Sequence, residues 1–484
     1  MILPVVSMRL IAPAGIAFAT GLLILLVDLV LPKGRKGLLA VLSLVGLIIS
    51  GSASSGLWGR YEMAFRDMVV ADNLSSGFGI IICLTAFLVV LLSRHYIQRE
   101  GIDFGEYYAL LMFSTCGLTL FVSGKDLIIL FLGLEVFSIA LYILCGFNRH
   151  QLRSAESALK YFLLGSFASA FLLYGIALIY GTTGSTNLDK IAQVIILNRW
   201  GNLTLLMVGV GFVLVGLGFK TAAVPFHFWT PDVYEGAPMP VTAFMAGGVK
   251  TAAFVALLRV FSGAFGNLYP DWVRILSVVA ILTMVVGNVI AVVQMNLKRL
   301  LAYSSIAHAG YLLVAVVANS TLGIASISFY LLSYVLMTLG AFGILILIGR
   351  PGEGNLKLED VSGLSRSRPW LAAAMTILLL SLAGIPPTAG FVAKWYVFTA
   401  ALKEGFFSLT LIGVLTSVIG VFYYLRVIVY MYMREPLKSV ADAPTWSSWT
   451  AALAVTIAVA GVLLIGLFPG SLLDIAQVLA TGVR

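Results

Sequence analysis

Cysteine, histidine and charge are all scarce in this chain, and each shortage removes a class of function. Cys83, Cys116 and Cys145 stand apart in apolar surroundings, with no CxxC pair and no spacing suited to zinc or an iron–sulfur cluster, and read as small core residues. Of the four histidines, His95 and His150 lie in basic loops, which leaves His227 and His308 as the one pair near membrane depth, with nothing else to suggest a haem. No Walker loop is present, and Gly-Val-Gly-Phe-Val-Leu-Val begins like a dinucleotide fingerprint and then fails. The chain therefore holds no metal, cofactor, redox or nucleotide chemistry of its own. Only 11% of the 484 residues are charged and 60% are hydrophobic, a balance that excludes a water-soluble protein of this size.

What is present is a succession of apolar stretches near or above the roughly 20 residues that cross a bilayer as helix. About fourteen are read, at 10–31, 37–56, 73–93, 105–122, 126–147, 157–181, 203–231, 239–263, 272–295, 299–318, 322–349, 370–401, 404–433 and 447–470. Alternating strand patterns are absent, so the expected fold is an all-α polytopic membrane protein. The first span runs into Pro32-Lys33-Gly34-Arg35-Lys36 without a small-residue cleavage pattern, and is read as a retained helix with the mature chain starting near Met1. Fifteen lysines and arginines fall in loops after odd-numbered spans and nine on the opposite side, which puts both termini away from the cytoplasm. The formal charge of +9 follows from that topology and points to no nucleic acid.

Lys220, Lys250 and Lys394 sit deep in apolar runs, where an ammonium costs about 2.5 to 3.5 kcal/mol to insert. An amine removed from water can exist with or without its proton near neutral pH, so a row of them can pass protons. Two ammonium ions ~10 Å apart repel by about 1.7 kcal/mol at an effective dielectric near 20, enough to hand a proton along. Glu135 lies mid-span with no cation within a helical turn, and Lys220 is its natural partner, as a proton site or as a static ion pair. His227 and His308 are relay candidates or satisfied core histidines. Arg259, Arg426 and Lys160 sit nearer helix ends, where snorkelling explains them. The acidic turn around Asp232 and Glu235 reads either as a cation-gathering mouth or as a plain turn, and the polar stretch 350–368 as a solvated loop or a docking surface.

Two spans are interrupted beside a lysine: Gly216 to His227 with Pro225, and Ala383 to Lys394 with Pro386 and Pro387. Proline opens a helix, which a bilayer tolerates only where protein or water takes up the freed carbonyls. They are the seventh and twelfth spans, five apart, the pattern of an inverted repeat. The expected division is three leading helices in 1–100, a first half in 101–265 (helices 4–8), an inverted second half in 266–435 (helices 9–13), and a final helix in 436–484.

Leu-Glu135-Val, Gly-Phe-Lys220-Thr-Ala-Ala-Val-Pro-Phe-His227-Phe-Trp-Thr-Pro-Asp232, Lys250, Asn296-Leu-Lys-Arg-Leu-Leu-Ala-Tyr-Ser-Ser-Ile-Ala-His308 and Gly384-Ile-Pro-Pro-Thr-Ala-Gly-Phe-Val-Ala-Lys394 resemble the antiporter-like membrane subunits of respiratory complex I over nearly the whole chain. The resemblance implies fourteen helices in two inverted five-helix halves, and a proton path through Glu135, Lys220, Lys250 and Lys394. It also implies a multi-subunit enzyme of the bacterial inner membrane that passes electrons from NADH through FMN and iron–sulfur clusters, held by other subunits, to quinone. The competing readings are a subunit of an Mrp-type sodium/proton antiporter and a membrane scaffold that moves no ions.

Overall fold

The computed structural model describes residues 7–32, 36–352, 356–435 and 448–483. Lys33, Arg35, Lys438 and Arg484, counted above for orientation, lie outside the described residues. Among those described, thirteen helices are long and apolar enough to cross a membrane. The expected twelfth span is a further one in two pieces, each too short to be counted alone.

In chain order, α1 (Ala12–Val30) and α2 (Gly37–Ser55) lead into a two-stranded hairpin, β1 (Glu62–Ala64) and β2 (Val69–Ala71). Then come α3 (Asn73–Arg99), α4 (Gly105–Ser123), α5 (Leu127–Cys145), α6 (Leu152–Thr183), the short amphipathic α7 (Leu188–Ile196) and α8 (Leu203–Thr221). The seventh span breaks at 222–228 and resumes as α9 (Trp229–Gly236), followed by α10 (Met239–Ala264), α11 (Tyr269–Val292), α12 (Leu297–Ala318) and α13 (Thr321–Ile348). The twelfth span is α14 (Pro369–Ala383) and α15 (Ala389–Lys403); α16 (Phe407–Met433), α17 (Trp449–Leu467) and the short α18 (Gly470–Ala480) complete the chain. Both breaks follow from local sequence. Ala222 and Gly384 turn left-handed (φ 60° and 84°) just ahead of Pro225 and the Pro386-Pro387 pair, so neither helix can continue.

The helices sort by burial. α10 is enclosed along its length, α12, α13 and α3 nearly so, while α1, α16 and α17 turn most of their surface outward. Lys250 and His308 thus ride on the innermost helices. On α10, π-helical turns at Met245–Val249 and Leu258–Ala264 bracket Lys250; such turns collect at functional sites.

Packing between spans relies on small residues, because lipid offers helices no hydrophobic reason to associate. α6 and α8 meet at Gly175 and Gly209, where a Cβ on Gly175 would stand 2.8 Å from the Gly209 carbonyl oxygen. α11 meets α12 where a Cβ on Gly287 would reach 2.6 Å from the Ala307 nitrogen.

One charge differs from its sequence reading. Arg259 does not snorkel: it is 3% exposed, donates to both carboxylate oxygens of Asp72 at 2.8 Å and to the Val122 carbonyl at 2.9 Å. Its distance from the helix end said nothing of the acid opposite, which also caps the N-terminus of α3 through Ser75. Lys160 is part-exposed, and Arg426 donates to the Val292 and Gln294 carbonyls at the end of α11. The described part of 350–368 is tied down: Leu297 donates to the Leu356 carbonyl, Leu358 to Met295 and Gly363 to Tyr430.

Gly175→Leu should force α8 from α6 and destabilise the fold by about 1–3 kcal/mol, the usual cost of overpacking. Gly181→Leu, on the same helix with open space beside it, should be neutral. Thermal melts of the detergent-purified protein check this; equal melting of both variants would refute the glycine contact.

Candidate functional site

Each break frees backbone carbonyls at membrane depth, and the two breaks satisfy them differently. In the twelfth span Lys394 does so itself, donating to the Leu382 and Ala383 carbonyls at 3.0 and 2.9 Å and to Ser417 Oγ on α16 at 2.9 Å. A cation on the last carbonyls of α14 also suits the negative end of the helix dipole. In the seventh span the backbone does most of this, Ala222 and Ala223 donating to the Phe219 and Gly218 carbonyls, and the indole of Trp229 adds a second bond to Phe219 at 3.0 Å. Lys220, one residue on, is thereby left without that role.

Its Nζ has no hydrogen-bond partner, although the residue is only 2% exposed. Aromatic rings surround it instead: Phe137, Tyr142, Tyr161 and Phe219 have centroids 5.4, 5.6, 5.1 and 5.5 Å away. Ring faces attract a cation by up to about 2 kcal/mol when desolvated but offer no place for a transferred proton. The hydroxyls of Tyr142 and Tyr161 are likewise without partners. Glu135, on α5, is half-buried beside the outward-facing Leu132, Val136 and Ile139, and its Oε1 also lacks a partner. The suggested Glu135–Lys220 pair is therefore not a direct contact in this structure.

Lys250 is held by Ser305, donating to its carbonyl and its hydroxyl, and lies 5.6 Å from the ring centre of Tyr334. From there the contacts continue. The His308 ring sits 5.2 Å from Tyr334 and 5.7 Å from Tyr311, and Lys394 Nζ is 5.0 Å from the Tyr311 ring centre. Both His308 nitrogens are engaged, Nδ1 with the Tyr330 hydroxyl at 2.6 Å and Nε2 with that of Tyr424 at 3.2 Å, which in turn meets Ser304. One tyrosine must donate and the other accept if the imidazole is neutral. The Tyr311 hydroxyl accepts from Asn288 at 2.9 Å.

The structure thus joins Lys250, His308 and Lys394 in one file of buried polar and aromatic groups, and leaves His227 outside it. The His227 ring, on the break between α8 and α9, lies tilted against the exposed Phe228 with centroids 4.6 Å apart, and its Nδ1 has no partner among the described residues. Sequence reading missed the tyrosines at 311, 330, 334 and 424 altogether. The available signal was their depth, since membrane tyrosines ordinarily gather at interfaces. Among the described residues no cluster of histidine, cysteine and carboxylate groups could hold a metal.

The acidic turn forms an ion network at one mouth of the protein. Asp232 accepts from Lys160 at 2.9 Å and Arg299 at 2.8 Å; Glu235 accepts from Arg299 at 2.9 Å and Asn296 at 3.1 Å.

A family model described as NADH:quinone oxidoreductase/Mrp antiporter, TM matches residues 124–420. NADH-quinone oxidoreductase subunit N of Trichlorobacter lovleyi is 47% identical over 98% of this chain and 96% of its own, and that of Chloroflexus aggregans 45% over 98% and 97%. A chain of respiratory complex I from Thermus thermophilus superposes with TM-score 0.81 at 36% identity, covering 96% of this chain and 98% of that one. A chain of the Mrp complex from Dietzia sp. DQ12-45-1b has the same fold, with TM-score 0.87 at 21% identity over 99% and 98%. The chain belongs to the family of NADH-quinone oxidoreductase subunit N.

Proposed function

We propose that this chain moves protons across the membrane as subunit N of an NADH:quinone oxidoreductase, through Glu135, Lys220, Lys250 and Lys394. One observation carries the path: three buried bases, Lys250, His308 and Lys394, follow one another through Tyr334 and Tyr311 inside the helix bundle. Electrons pass from NADH through FMN and iron–sulfur clusters to quinone in the partner subunits of the same complex, and this chain supplies no redox group. It lies in the bacterial inner membrane with both termini on the non-cytoplasmic side.

Two inverted halves, 101–265 and 266–435, follow 1–100 and precede 436–484; the left-handed turn ahead of proline in each broken span supports that division. Lys220 is the group poised to change state, because no hydrogen bond holds it. When the Glu135 carboxylate comes closer, Coulomb attraction favours the ammonium; when it withdraws, the proton passes toward Lys250. Lys250 and Lys394 each rest on oxygen acceptors that stabilise a received proton. His308, with an accepting and a donating neighbour, carries it between them, and His227 is a second relay at the open break.

Lys220→Ala and Glu135→Ala should leave the complex assembled and strongly lower the protons moved per electron, measured in proteoliposomes driven by NADH and quinone. Wild-type stoichiometry in a well-assembled Lys220→Ala complex would sink the path and leave the scaffold reading. A sodium requirement for transport would instead point to the Mrp-type antiporter. Tyr424→Phe, which removes the hydroxyl shared by His308 and Ser304, should strip a buried nitrogen of its partner at a cost of about 1–3 kcal/mol and slow pumping. Unaltered pumping there would take His308 out of the path.

A further inference from the structure

A cavity of about 230 Å³ opens where the loops carrying the basic residues emerge, lined by Arg153, Glu156, Lys160, Asp232, Glu235 and Arg299. Its ion pairs bridge helices that also frame Lys220. Lys160 and Tyr161 are neighbours on α6; Trp229 and Asp232 are one turn apart on α9. On the outer side Lys160 grips Asp232 at 2.9 Å, with Glu156 as a second acceptor at 2.7 Å. On the inner side Tyr161 stacks on Trp229 with centroids 4.7 Å apart, and Trp229 stacks on Phe219 at 5.3 Å. Tyr161 and Phe219 are two of the four rings around Lys220. Gly236 draws α9 against α6, for a Cβ there would stand 2.9 Å from that of Ser157.

We propose that the Lys160–Asp232 ion pair and the Tyr161–Trp229 stack beneath it form a two-layer gate between this charged vestibule and Lys220, which rests on the proton-path reading above. The two layers share one pair of helices, so they open together. The Lys160–Asp232 pair is half-exposed, with side chains 41% and 38% accessible, and the same carboxylate is gripped by Arg299 at 2.8 Å, so the latch is a shared carboxylate whose loss releases both cations. Glu156 gives Lys160 somewhere to go when Asp232 is released. Movement of α9 then slides Trp229 off Tyr161, its indole leaving the Phe219 carbonyl to the entering water, and admits water and a proton to the ring of aromatics around Lys220. The closed stack keeps the vestibule from short-circuiting the path between turnovers.

The test is passive proton permeability of proteoliposomes holding the whole complex, under an imposed potential and without NADH. Asp232→Asn should raise it roughly twofold to fivefold, the population shift expected from losing a half-exposed ion pair. Lys160→Gln removes one of the two cations on Asp232 from the other helix and should give a smaller rise in the same direction, so the test stands if one variant fails to assemble. Adding Lys220→Ala should return the leak to the wild-type level. No rise in the assembled variants, or a leak that persists without Lys220, would overturn the gate. If Lys220→Ala alone impairs pumping while the latch variants stay tight, the gate falls and the proton path stands; if Lys220→Ala alone pumps normally, the path itself falls.

Discussion

In a bilayer, no water waits to satisfy a backbone carbonyl that a broken helix sets free, and much of this structure follows from that constraint. Each interruption must bring its own donor. In the twelfth span the donor is the ammonium of Lys394, which ties a proposed proton carrier to the ends of α14. In the seventh the backbone N–H groups of the turn and the Trp229 indole, none of which titrates, share that role. The difference decides the character of the two lysines. Lys394 is locked by three oxygen acceptors, and Lys220 is held only by ring faces.

Charge placement follows the same logic of compensation. Asp72 and Arg259 are buried deeply enough that each alone would be costly, and together they close the end of α10 onto α3 and α4. Lys250 sits a little over two turns earlier on the same helix, between two π-helical turns, and has a serine rather than a carboxylate. A fixed ion pair and a proposed proton site thus occupy one helix. What separates them is the strength of the partner: a carboxylate holds a cation in place, whereas a hydroxyl and a carbonyl can let a proton leave.

The site residues were legible in sequence to the extent that they violate composition. A lysine or glutamate in a span announces itself, and so does a proline pair. The tyrosines around His308 did not, because tyrosine is tolerated in apolar helices and only its neighbours reveal whether the hydroxyl is engaged. Arg259 was misread for a related reason: its place along α10 is fixed by sequence, but the carboxylate it meets is 187 residues away. Tyr161 and Trp229, the proposed gate residues, lie next to recognisable features, Lys160 and the broken span, yet nothing local says that their rings meet.

The sequence by itself determined the membrane class, the spans, the two breaks and the buried charges, because each depends on rules that act within one or two helical turns: hydropathy, proline geometry and the cost of a charge in lipid. Only the tertiary structure decided which groups those charges meet. Ser305 for Lys250, Ser417 for Lys394, four rings for Lys220 and two tyrosines for His308 come from helices far apart in the chain. Helix packing through small residues sets those distances, and a pattern along one helix carries no record of the face that another will turn toward it.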